Sequence, residues 1–162
     1  MGFEMGPYTN FKSKYYFHLI AKKESPSEDL QNQWQFLLSE INSLSSEIRM
    51  RVHALVMMSN HFHAIVRLDN VVDKEIVQKR IQTHWPINFH FEKIKSFYEY
   101  KQIYYYVYRN PLEAGIVKKC EDYPFSSLRQ LLKQNSSELF VIDQMCILAS
   151  PMERLRWLNE GI

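Results

Sequence analysis

RVHALVMM (51–58) and HFHAIVRL (61–68) are two apolar-rich runs separated only by Ser59 and Asn60. Two polar residues between runs of that length suit a tight antiparallel turn, so the two segments are predicted to pair directly as a hairpin. Upstream, KYYFHLIA (14–21) mixes β-branched and aromatic residues without a helical period and reads as a first strand. Between that strand and the hairpin, Ser27 is a candidate N-cap. Leu30, Trp34, Leu37, Leu38, Ile41 and Leu44 then recur at steps of three and four, which predicts an amphipathic helix to about Glu47, packed on the sheet.

Downstream of the hairpin, 73 to about 84 reads as a second, more polar helix that Pro86 ends, because proline cannot continue the hydrogen-bond ladder. A short fourth strand is expected at 88–91. Phe97, Tyr100, Tyr104, Val107 and Pro111 mark one face of a third helix, with Pro111 expected to terminate it. Ile116 and Val117 suit an edge strand, and 137–148 and 152–157 suit C-terminal helical pieces that cap the domain. The order β-α-β-β-α-β predicts an α+β ferredoxin-like sandwich with appended C-terminal helices. One domain over 1–162 is expected, with a core at about 14–130 and a helical extension at about 135–162.

The 162 residues are 46% hydrophobic and 23% charged, ordinary globular usage that excludes a disordered chain. Cys120 and Cys146 lie far apart and outside any finger spacing, so neither a disulfide framework nor a structural zinc site is suggested. No run is long enough to cross a bilayer, and a soluble protein of the reducing cytoplasm is expected. Twenty Lys and Arg against eighteen Asp and Glu leave a net charge of +2, so charge by itself does not announce a nucleic-acid partner.

Motifs say more. Residues two apart on a strand share a face, so His61 and His63 present parallel imidazoles while Phe62 is buried on the other side. Two such nitrogens at a strand end beside a turn can hold one cation and leave room for a substrate. Mixed nitrogen and oxygen sites of this kind suit Mg²⁺, Mn²⁺ or similar divalents. The same pattern also occurs where histidines only face solvent. His18 and His53, lone histidines on apolar strands, are given no catalytic role. On the third helix Tyr104, Val107 and Tyr108 continue the core stripe, whereas Tyr106 and Asn110 lie off it and, being four residues apart, address the same point. Asn110 can supply a third ligand. Phenols are weak nucleophiles at neutral pH, but a metal that polarises a phosphodiester makes their attack feasible and yields a phosphotyrosine.

HALVMMSNHFHAIV (53–66) resembles the HUH signature, and YVYRNPLEAGIV (106–117) resembles the tyrosine segment of REP-associated tyrosine transposases, which are single-tyrosine HUH transposases. The resemblance runs from about Tyr15 to Leu128 and includes PFSSL (124–128). It implies a ferredoxin-like HUH domain that cuts and rejoins single-stranded or hairpin DNA. His61 and His63 match the metal histidines, Tyr106 the nucleophile and Asn110 the polar metal-site residue. A divalent metal, Mg²⁺ or Mn²⁺, is implied, as is a possible homodimer. The alternative within the same resemblance is a catalytically weak or domesticated hairpin-binding module. Ser59 stands where such proteins usually have proline, Tyr108-Arg109 replaces a more usual His-Leu pair, and 86–97 is shorter than is typical.

Overall fold

In a computed structural model of the chain, residues 15–24, 29–132, 141 and 150–161 are described. Strands β1 (Tyr16–Lys23), β2 (Arg51–Met57), β3 (His61–Arg67) and β4 (Ile87–Lys93) form an antiparallel sheet in the order β2-β3-β1-β4. The hairpin partners β2 and β3 are adjacent, while β1 lies between β3 and β4. Helix α1 (Trp34–Glu47) therefore crosses over β3, and α2 (Asp73–His84) crosses over β1, the ferredoxin-like arrangement.

Alternation along the strands divides the interior in two. Phe17, Leu19 and Ala21 of β1, Leu55 and Met57 of β2, and Phe62, Ala64 and Val66 of β3 pack under α1 and α2 with Leu37, Leu38, Ile41, Val77 and Ile81. The opposite face carries Tyr16, Ala54, Val56 and Ile65, covered by Tyr100, Tyr104, Val107 and Tyr108 of α3 (Phe97–Glu113). Two more helices follow, α4 (Leu128–Leu131) and α5 (Pro151–Glu160), the latter N-capped by the Ser150 hydroxyl and packed on α3 through Trp157 against Tyr105. No described helix is long and apolar enough to cross a membrane.

Several sequence expectations change in detail. The first helix opens on a 3₁₀ turn, Leu30–Gln33, whose cap is Asp29, its carboxylate accepting from the Gln31 amide; Ser27 lies outside the described residues. The fourth strand is longer than 88–91. Pro111 does not end α3 but sits inside its last turn, where only one ladder bond is lost, and the helix continues to Glu113. What ends it is Gly115, with φ of 70°: Ile116 N–H bonds Pro111 C=O and Gly115 N–H bonds Leu112 C=O, a Schellman closure. That closure consumes Ile116, and 116–117 form no strand. The helix expected at 137–148 falls almost wholly outside the described residues; Val141 makes an isolated parallel bridge to Val52.

The outer side of β2 is occupied. Val56 bridges Ser126, Met57 N–H bonds Phe125 C=O, Ser127 N–H bonds Leu55 C=O, and the Ser127 hydroxyl accepts from Leu55 N–H. The Tyr123 hydroxyl donates to Met57 C=O, and that of Tyr108 lies 2.9 Å from Ser127 Oγ, so the PFSSL segment ties β2 to α3.

One bulge in β2 shifts the register between Val52 and Ala54 and turns His53 into the interior, fully buried, with Nδ1 2.9 Å from the Tyr100 hydroxyl. Burial, with Arg67 and Arg51 nearby, pushes its pKa from 6.5 to about 3. Unfolded His53 binds a proton more readily than folded His53, so this contribution to stability is complete above pH 6.5 and drains away as pH falls toward 3. Between pH 7 and pH 5 it costs about 2 kcal/mol. Urea unfolding of His53→Gln is expected to show a pH dependence flatter than wild type by about that amount; parallel curves would remove His53 as the cause.

Candidate functional site

The turn at Ser59 and Asn60 is held from outside the hairpin. Leu30 N–H bonds the Ser59 carbonyl and Lys23 N–H bonds the Asn60 carbonyl, so the start of β3 is fixed against the end of β1. From there β3 alternates. Phe62 is 1% exposed in the core under α1 and α2, while His61 and His63 emerge on the α3 face with ring centroids 4.9 Å apart. His61 pairs with Lys22, and His63 with Ile20 and Val56.

Tyr106 lies off the buried stripe of α3 and is 49% exposed. Its ring nevertheless returns to the sheet, with its centroid 5.2 Å from that of His63 and 6.3 Å from that of His18, edge-on to both. One turn later, the Asn110 side chain lies beside His61 and acts to favour its protonated form. The two histidines, the tyrosine and the asparagine singled out from sequence thus meet at one place.

Burial lowers the pKa of all three imidazoles. For His63 it brings the value to about 3, with neighbouring His18 and His61 adding to the effect. His61 is lowered by burial and by Lys22, against the opposing effect of Asn110. His18 is lowered by burial, with the Glu92 carboxylate pulling the other way. Burial thus favours the neutral form of all three rings. His61 Nδ1 stands 2.6 Å from Asn60 Oδ1, which can only accept, so Nδ1 is the donor in this contact. Among the described residues no group of three or more His, Cys, Asp or Glu side chains is placed to hold a metal ion. A cation at this point would have two imidazoles and an amide oxygen from the protein, with further ligands coming from substrate or water.

No family model matches the chain. It is 26% identical over 132 residues to a REP-associated tyrosine transposase of Escherichia coli (strain K12), an alignment that covers 74% of this chain and 79% of that one. The chain resembles the REP-associated tyrosine transposases. Among solved structures it shares its fold with a REP-associated tyrosine transposase bound to a REP hairpin, at a TM-score of 0.62 and 21% identity, over 80% of this chain and 86% of that one.

Sequence reading passed over four groups here. His18 was set aside as structural, yet it is buried against His63 with 3.1 Å between His18 Nε2 and His63 Nδ1. Glu92 reaches His18 from the neighbouring strand, Asn60 orients His61, and exposed Lys22 stands beside it. The period of two places His18 on one face or the other, but only the pairing of β1 with both β3 and β4 says what it touches.

Arg109, on the same helix, braces the site from behind. Its guanidinium donates to the Leu158 and Asn159 carbonyls at the C-terminal end of α5 and pairs with Glu113. The last carbonyls of a helix lack internal partners, so this cation supplies them and locks α5 onto α3. Arg109→Ala is expected to lower stability by about 2 kcal/mol in urea unfolding, leaving the sheet intact by circular dichroism; a change below roughly 0.5 kcal/mol would show that the contact carries no weight.

Proposed function

We propose that this protein is a transposase-type enzyme that cuts and rejoins single-stranded DNA at hairpin ends, with Tyr106 as the nucleophile. The observation that carries the reading is the half-exposed Tyr106 ring lying edge-on to His63, whose own ring is 4.9 Å from that of His61. The transposase and its REP hairpin among the similar proteins support the same class of substrate.

His61, His63 and the Asn110 amide fit a divalent cation, Mg²⁺ or Mn²⁺, since burial favours the neutral form of both imidazoles and amide oxygen is a suitable hard donor. Bound there, the cation would polarise the scissile phosphate and offset charge on the departing oxygen. Exposed Lys22, paired with His61 across the sheet, offers a positive charge to an adjacent phosphate. The Tyr106 oxygen attacks phosphorus; a phosphorus–tyrosine bond forms as the bond from phosphorus to one sugar oxygen breaks. The phenol gives up its proton and the departing sugar oxygen takes one up, ending as a hydroxyl. Attack by a DNA hydroxyl on the phosphotyrosine reverses the exchange, so strands are rejoined without a nucleotide triphosphate.

Labelled hairpin single strands incubated with Mg²⁺ or Mn²⁺ are expected to give a covalent protein–DNA band on denaturing gels that is absent in Tyr106→Phe. Equal adduct in that variant would overturn the tyrosine assignment. Tight hairpin binding without adduct in either metal would identify a binding module instead.

Metal binding is checked separately by melting. A cation that binds only the folded chain stabilises it by about 2.7 kcal/mol at one hundred times its dissociation constant. Mn²⁺ is expected to raise the wild-type melting temperature and to leave His61→Ala unmoved; an equal rise in both would place the ion elsewhere.

A further inference from the structure

His18 and Glu92 stand directly across from one another in the β1–β4 register, and both side chains leave the sheet on the face that carries His63. Three groups follow in line. Glu92 Oε2 is 3.5 Å from His18 Nδ1, and His18 Nε2 is 3.1 Å from His63 Nδ1. The two rings are tilted by only 25° with centroids 5.2 Å apart. With the nitrogens 3.1 Å apart, that separation leaves about one ring radius on each side, so the rings meet edge to edge along the hydrogen bond rather than face to face.

The Glu92 carboxylate, an ion-pair partner 3.5 Å from His18 Nδ1, sets the donor and acceptor roles in this line. A carboxylate only accepts, so His18 Nδ1 carries the hydrogen. A neutral imidazole has one, so His18 Nε2 is bare and must accept. His63 Nδ1 must then donate, and His63 Nε2 is left bare. His61 is held separately, with Nδ1 tied to Asn60.

We propose that Glu92 and His18 are positioning residues whose line of contacts, an ion pair followed by a hydrogen bond, fixes the hydrogen of His63 on Nδ1, keeping its Nε2 open for the site shared with His61 and Tyr106. The inference rests on the metal-site reading of His61 and His63. Partners of this kind set the tautomer and orientation of a ligating histidine and strengthen its donor nitrogen, typically by 10- to 100-fold in metal affinity. The Glu92 side chain is 52% exposed and its other oxygen lies 3.5 Å from exposed His90, so it can be replaced without disturbing the core.

Two readouts decide it. In metal-free protein, imidazole ¹⁵N–¹H correlation spectra are expected to show His63 protonated on Nδ1 in wild type, with the Nε2–H form appearing in Glu92→Ala and in His18→Phe. Mn²⁺ titration followed by electron paramagnetic resonance is expected to show affinity reduced by roughly 10- to 100-fold in Glu92→Ala, with hairpin affinity in chelator unchanged. A wild-type His63 protonated on Nε2, or a tautomer that ignores both substitutions, would overturn the line. Unchanged Mn²⁺ affinity in Glu92→Ala, with wild type binding normally, would overturn its role alone. A wild type that binds no Mn²⁺ would instead sink the metal-site reading beneath it. Should His18→Phe fail to fold, Glu92→Ala decides by itself.

Discussion

From His61 through Phe62 to His63 successive side chains change face of the sheet twice, and the site depends on holding that register. Slipping β3 by one residue would expose Phe62 and drive both imidazoles under α1 and α2. Loss of the Phe62 burial alone costs about 2–3 kcal/mol, and two unpaired imidazoles in an apolar core add desolvation on top. Against a net stability of about 5–15 kcal/mol for a domain, that is enough to exclude the alternative. The turn contacts from Leu30 and Lys23 add to the same choice, since they form only when Ser59 and Asn60 lie at the tip.

The other half of the arrangement is a helix whose two jobs do not compete. Tyr100, Tyr104, Val107 and Tyr108 anchor α3 to β2 and β3, whereas Tyr106 and Asn110 sit on its flank, over the part of the sheet that α3 leaves uncovered. Aromatic bulk on the buried stripe keeps the axis in place, and the flank is left free for chemistry. Arg109 and α5 press from the far side, and Tyr108 with Ser127 ties the same helix to the edge strand.

How much of this was legible beforehand depended on how local each cause was. The facing of His61 and His63 follows from a period of two within one strand, and the shared direction of Tyr106 and Asn110 from one helical turn; both were readable in the residues. The roles of His18 and Glu92 were not, because they arise only when β1 is inserted between β3 and β4, an outcome of two crossovers far apart in the chain. Pro111 misled for a related reason: its cost depends on how near the end of the helix it falls, and that end is set by Gly115, four residues on. The β2 bulge at His53 had no sign in the residues, since RVHALVMM reads equally well as an unbroken strand.

The bonds that run along the outer side of β2 have a further consequence. An open sheet offers free amides and carbonyls at both margins, and each is a template on which a second chain can stack. Here one margin is already sealed by Phe125, Ser126 and Ser127, with Val141 at the other end of the same strand. Among the described residues the other margin is β4, where Asn88, His90, Glu92 and Lys93 interrupt any apolar stretch with polar and charged groups. The seal that steadies the β2–β3 hairpin and the polarity that surrounds Glu92 both work against edge-to-edge stacking of the sheet.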